Sequence, residues 1–221
     1  MQRLLEPELM NDLEQVTAYA NADFAAAHSA IMAQFPRLFP HTEGLHTVLD
    51  LGCGTADIAI RFARMYPNCK IDAVDGSANM LVQAQTFIER ESLQDRIILH
   101  HQCLPGCELP NKNYDAIVSN SLLHHLHEPQ YLWQTLKQYA TAKTAILICD
   151  LIRPTSQQAA TLLVEQYADS EPEILRRDFF NSLLAAFTLD EVHAQLSAAN
   201  LPGLQIEQIS DRHMLIHGYL P

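Results

Sequence analysis

The chain has 221 residues, 48% of them apolar and 18% charged, and a formal net charge of −12. That length can bury a core without disulfides, and so acidic a surface repels phosphate backbones and anionic lipid, which argues against nucleic acid or a membrane as partner. No apolar run reaches the roughly 18 residues of a spanning helix. MQRLLEPELMNDLEQ carries acids early and has no apolar h-region, so no secretory leader is expected. The five cysteines are an odd number without a CxxC, which suits reduced thiols in the cytoplasm.

Residues 1–40 read as helical. LMNDLEQVTAYANADF and AAAHSAIMAQFPRLF carry apolar residues at helical spacing, with ends expected at the prolines 36 and 40. From residue 47 the pattern alternates. TVLDL is a short β-branched run, followed by a glycine turn and the helical ADIAIRFARMY. KIDAVD is a second strand, and SANMLVQAQTFIERE a helix begun by a serine cap. RIILHH and YDAIVSN are the third and fourth strands, PQYLWQTLKQYA a helix, and TAILICDLI the fifth strand. Strands alternating with helices of this length imply βαβ units and a parallel sheet covered on both faces. After Pro154 the alternation stops: residues 155–187 read as helix throughout. TLDEVHAQLSAAN is a further helix with a capping box at Thr188 and Glu191. LQIEQIS and RHMLIHGYL, separated by Asp211, read as an antiparallel hairpin. The expected fold is α/β, a Rossmann-like seven-stranded mixed sheet with helices on both faces. It forms one domain: N-terminal helices (1–40), a core (47–154), a helical insertion (155–187) and a terminal helix and hairpin (188–221).

HHQCLPGC, residues 100–107, gathers two histidines and two cysteines. Adjacent strand residues point to opposite faces, however, so His100 and His101 do not share a metal, and no metal site is expected.

The stretch VLDLGCGTAD, residues 48–57, is a strand, a turn and a helix start, and holds two of only seven glycines. In open α/β sheets ligands sit at the carboxyl ends of strands, so Gly52 and Gly54 let backbone approach a ligand there. A dinucleotide fingerprint GxGxxG needs glycine at position 57. Asp57 stands there, or else caps the first helix of the core, and Asp50 adds a second charge at the strand end. Such a turn discourages pyrophosphate and suits a ligand with an adenosine part and a cationic part.

LDLGCGTADIA (49–59), VDGSANML (74–81), YDAIVSNSLLHHL (114–126) and AILICDLIRP resemble, in order and spacing, the class I S-adenosylmethionine-dependent methyltransferases of the small-molecule branch. The resemblance implies S-adenosylmethionine as cofactor, with methyl transfer to a small, partly hydrophobic acceptor. By position it assigns Gly52 and Gly54 to the loop under the methionine moiety and Asp50 beneath it. Asp75 looks like the acid for both ribose hydroxyls, with Gly76 turning the strand end and Met80 against adenine. Asn120 corresponds to a backbone contact with the methionine part. The family's acid after the third strand falls at Gln102 and Cys103, so a backbone group or the Gln102 side chain stands in for the adenine contact. Ala56 replaces a third glycine.

Of His124, His125 and His127, which follow the fourth strand, His125 is the candidate general base, with an ordinary pKa near 6.5. The insertion is expected to cover the acceptor pocket, which Arg153, Asp178, Phe179, Phe180 and Asn181 would line. Two other readings remain open at this point: a nicotinamide-dependent oxidoreductase on a Rossmann fold, and a non-catalytic S-adenosylmethionine-binding protein.

Overall fold

A computed structural model describes residues 1–42 and 44–220; Pro221, the last residue of the expected terminal segment, lies outside them. In chain order the elements are α1 (Leu13–Asn21), α2 (Ala25–Leu38), β1 (Thr47–Leu51), α3 (Asp57–Met65), β2 (Lys70–Asp75), α4 (Ala78–Arg90), β3 (Ile97–His101) and β4 (Ala116–Asn120). A 3₁₀ turn (Leu123–His125) precedes α5 (Gln130–Tyr139), β5 (Ala145–Leu151), α6 (Gln157–Ala168), α7 (Glu173–Ala185), α8 (Leu189–Ala198), β6 (Leu204–Gln208) and β7 (His213–Gly218).

The seven strands order as β3-β2-β1-β4-β5-β7-β6. The first five are parallel, and β7 runs antiparallel to both β5 and β6, giving the expected mixed sheet. β1 sits in the middle of the five parallel strands, and its Val48, Leu49 and Leu51 are apolar on both faces and fully buried. The order reverses between β1 and β4, which opens a crevice at their carboxyl ends. One face of the sheet packs on Phe35, Phe62 and Ile88, and the other on Leu132, Trp133 and Tyr139. Each such side chain contributes roughly 1.5–3 kcal/mol through burial. A third cluster, with Leu151, Ala160 and Leu183, seats α6 and α7. No helix among the described residues is long and apolar enough to cross a membrane.

Several caps follow from the sequence. Ser77 accepts from the Met80 N–H at the start of α4, and Thr188 and Glu191 form a reciprocal capping box on α8. Three boundaries differ from the sequence reading. Pro36 lies inside α2, in its last turn, where the missing N–H costs one bond, and the helix ends at Leu38. The first helix starts only at Leu13, capped by Asp12, and residues 1–12 form an irregular strap over the sheet's ligand end. The β6–β7 link spans residues 209–212, where the Ser210 hydroxyl accepts from the N–H groups of Arg212 and His213.

Candidate functional site

The strap, α1, α2, the carboxyl ends of β1, β2 and β4, and the insertion enclose a cavity of about 440 Å³. That volume lies in the range of ligand pockets. Asp50, Gly52, Gly54, Asp75, Gly76, Met80, Gln102, Cys103, Asn120 and His125 all line it. The structure thus brings the residues nominated for cofactor binding and the candidate base to one space.

The glycines serve different neighbours. Gly52 (φ +71°) has a left-handed backbone, and a Cβ there would lie 2.9 Å from the Leu122 side chain. Gly54 (φ +53°) is also left-handed, yet a Cβ there would meet nothing within 4 Å. Gly76 has no left-handed backbone. Its bare Cα instead leaves room for Leu9 of the strap and for the Cys103 sulfur, 2.6 and 2.9 Å from where a Cβ would stand. So Gly76, in the bend that follows β2, also admits the strap. Ala56 adopts φ +65°, a conformation glycine accepts more cheaply.

Two aspartates end adjacent strands. Asp75 accepts the Gly54 N–H at 2.8 Å and the Ser77 N–H at 2.7 Å, which ties the glycine turn to β2. Burial still raises its pKa. Asp50 is buried, and its Oδ2 has no hydrogen-bond partner. Burial first, then the charges of Asp75 and Asp57, push its pKa up to about 7. A buried carboxylate beside two others is one cation short.

Asp57 differs from both readings of it. Ala56, not Asp57, occupies the α3 cap position, without a side-chain bond. Asp57 Oδ2 lies 2.6 Å from both His28 Nδ1 and Arg61 Nε. Burial opposes its charge, but these partners hold its pKa below the usual carboxylate range. Its charge is answered by α2 and α3, so it is not a bare repeller of phosphate.

Gln102 is also committed: its Nε2 donates to the Glu108 carbonyl and its Oε1 accepts the Glu108 N–H, closing the 102–108 loop. Both polar atoms of the side chain are thus engaged in closing that loop. His100 bonds Asp72 and His101 bonds the Gly76 carbonyl, so the two point apart as expected.

At the far end of the cavity the 3₁₀ turn places His124 and His125. Asp150, on β5, accepts the Leu123 N–H at 2.7 Å and lies 2.7 Å from His124 Nδ1. Burial works against the His124 charge, but Asp150 and Glu6 outweigh it and raise its pKa. Burial, then the neighbouring His124 charge, lowers the His125 pKa to about 3. The ordinary pKa expected for His125 is therefore not found, because the side chain is enclosed beside a cation. His127 faces outward and bonds the strap at the Glu6 carbonyl. Neither Glu6 nor Asp150 was nominated from sequence. Asp150 had a signal, since ICDLI places a third acid at a strand end, whereas Glu6 reaches the site only through the path of the strap.

Of the insertion residues, Asp178 and Phe179 line the cavity. Arg153 does not: it donates to Glu191 and to the Ala186 carbonyl. Phe180 packs into the third cluster and Asn181 faces solvent.

Residues 48–144 match a family profile described as a methyltransferase domain. An uncharacterised methyltransferase of Mycobacterium tuberculosis is 32% identical over 112 residues, covering 51% of this chain and 54% of that protein. A malonyl-[acyl-carrier protein] O-methyltransferase of Bacillus cereus is 26% identical over 140 residues, 63% of this chain and 49% of its own. The chain thus spans about half the length of these curated relatives. A plantazolicin methyltransferase solved in complex with a pentazolic desmethylPZN analog and SAH superposes with a TM-score of 0.68 at 13% identity, covering 93% of this chain and 90% of that one, and so shares the fold.

Proposed function

We propose that this chain, whose residues 48–144 match a methyltransferase domain profile, is a class I methyltransferase that transfers the methyl group of S-adenosylmethionine to a small, partly hydrophobic acceptor. The observation that carries the reading is Asp50, a buried carboxylate with a free oxygen at the end of the central strand. A ligand ammonium beside it supplies the missing cation. The open space above Gly54, where a Cβ would touch nothing, offers room for the same ligand. Asp75 on the adjacent strand would hold the ribose hydroxyls, with Met80 against the base and Asn120 near the methionine part.

The bound cofactor supplies a methyl carbon already activated by a sulfonium. What remains for the protein is to align the acceptor, keep water out and take no proton too early. Leu9, Tyr19, Phe24, Leu175 and Phe179 form apolar walls around the cavity. His125 would face the acceptor as a neutral group, since a pKa of about 3 makes it a poor proton acceptor. Alignment and desolvation, rather than a histidine base, then provide most of the rate. The net charge of −12 supports an acceptor other than nucleic acid, and the five free cysteines support a cytoplasmic setting.

Calorimetric titration with S-adenosylhomocysteine is expected to show one site. Asp75→Ala should weaken it by about 1.5–3 kcal/mol, the scale of lost bonds to a charged group. Binding of NAD in place of S-adenosylhomocysteine would turn the assignment toward an oxidoreductase.

A further inference from the structure

The strap carries Glu6 to the two histidines of the 3₁₀ turn, and the three side chains converge. Glu6 Oε1 lies 3.3 Å from His125 Nδ1 and 3.6 Å from His124 Nε2. All three ligand-capable atoms fall within 4.8 Å of one another, the one such group of three or more among the described residues. Glu6 Oε1 and His125 Nδ1 are shut off from solvent, and neither has a hydrogen-bond partner. The Glu6 side chain is nine-tenths buried, with 10% of its surface exposed. Leaving such atoms unpaired costs about 1–3 kcal/mol each.

From this geometry we propose that Glu6, His124 and His125 form a binding site for a divalent transition cation, zinc foremost. Two nitrogen or oxygen ligands at about 2.0–2.2 Å from one tetrahedral ion stand roughly 3.4 Å apart. The two separations from Glu6 Oε1 fall on either side of that value, while the histidines must close by a rotation of their rings. Both outer partners are in place. His124 Nδ1 is engaged by Asp150 Oδ1, which leaves Nε2 for the ion, the carboxylate–histidine arrangement common behind metal ligands. The Ser182 hydroxyl donates to Glu6 Oε2 at 3.3 Å and orients the free oxygen. Arg3 fastens the strap by donating to the carbonyls of His124 and Leu126.

Three protein ligands are the number that catalytic rather than structural zinc sites use. His124, His125 and Ser182 also border the cavity. A hydroxyl or thiol of the acceptor is the natural fourth ligand, and coordination would ease loss of its proton to solvent. Only that last assignment rests on the methyl-transfer reading.

The test uses the full chain, freed of metal by a chelator and titrated with Zn²⁺ against a chromophoric competitor, with no methyl donor present. One equivalent is expected to bind, and the Co²⁺ form should show the visible bands of a tetrahedral nitrogen and oxygen site. Glu6→Gln and His125→Ala should each lower affinity at least about 100-fold, and Asp150→Asn by about 10- to 100-fold. Cys103→Ser should leave the Zn²⁺ affinity unchanged. Metal-free melting temperatures show whether each variant folds, and the wild-type cobalt spectrum tests the donor set even if a variant does not. No stoichiometric binding, affinity within threefold for Glu6→Gln, or a sulfur-to-cobalt charge-transfer band would overturn the proposal. The first two would leave the trio an ion-paired cluster, and the third would move the ion to a cysteine. S-adenosylhomocysteine binding is measured separately, so either assignment can fail alone.

Discussion

Gly52 and Gly54 stand one residue apart and should fail differently when given a methyl group. At Gly52 the left-handed backbone and the Leu122 contact act together. Strain of about 1–2 kcal/mol and overpacking of about 1–3 kcal/mol put the Gly52→Ala loss at roughly 2–5 kcal/mol in urea unfolding. At Gly54 only the backbone term applies, offset by the reduced freedom of the unfolded chain, so the loss should be about 1 kcal/mol. The new methyl group would instead enter the ligand's space, and affinity for S-adenosylhomocysteine should drop at least about tenfold. Asp50 yields a prediction with a sign. Its neighbours are the acids Asp75 and Asp57 and the Cys53 thiol, none of them cationic, and its pKa is pushed up to about 7. A cation binds the ionised form, so affinity should fall about tenfold for each pH unit below 7 and level off above it. Because the folded-state pKa is raised, the stabilising contribution of Asp50 is full below the unfolded value near 3.9 and lost as pH rises through 7. The free protein pays this penalty at pH 8 and the complex does not, so the ligand-induced rise in melting temperature should be larger at pH 8 than at pH 6. An Asp50→Asn variant that keeps the pH dependence would assign it to another group.

The insertion is less separable than its position in the chain suggests. Gln15 of α1 donates to Asp178 of α7 at 2.8 Å, and Leu4 and Arg3 of the strap donate to the carbonyls of Leu184 and Ala185. α1 also brings Tyr19 to the cavity wall. Replacing residues 157–185 with a short glycine linker should therefore abolish turnover and also weaken S-adenosylhomocysteine at least about tenfold. Undiminished affinity would show that α1 and the strap hold without α7. The strands, α3 to α8 and the strand-end acids were legible because period-two and period-3.6 patterns depend on local sequence. The contacts of Asp57, Gln102 and Gly76 could not be read for the opposite reason. Their partners His28, Glu108 and Leu9 come from a neighbouring helix, a closing loop and an irregular strap, none of which has a repeat to read. Glu6 was invisible from sequence on the same ground.

Across the whole molecule, the seven-stranded sheet supplies a rigid floor, while the strap, α1, α2 and the α6–α7 pair supply the roof. The floor is pinned by continuous strand pairing, and the roof by scattered bonds. Besides its contacts with α7, the strap accepts from the Ser77 hydroxyl at Met10 and from the Asn79 amide at Asn11, and Arg3 stacks 3.8 Å over the Phe187 ring. This division has a kinetic consequence. If a ligand seated beneath Leu9 leaves past residues 1–12, its dwell time depends on the unfastening of one short segment. Arg3→Ala, which removes three bonds to carbonyls and the stacking contact, should speed stopped-flow dissociation of S-adenosylhomocysteine several-fold and alter its association much less. If the proposed methyl transfer is limited by departure of the spent cofactor rather than by bond-making, a looser fastening should raise its turnover while the cofactor is held less well.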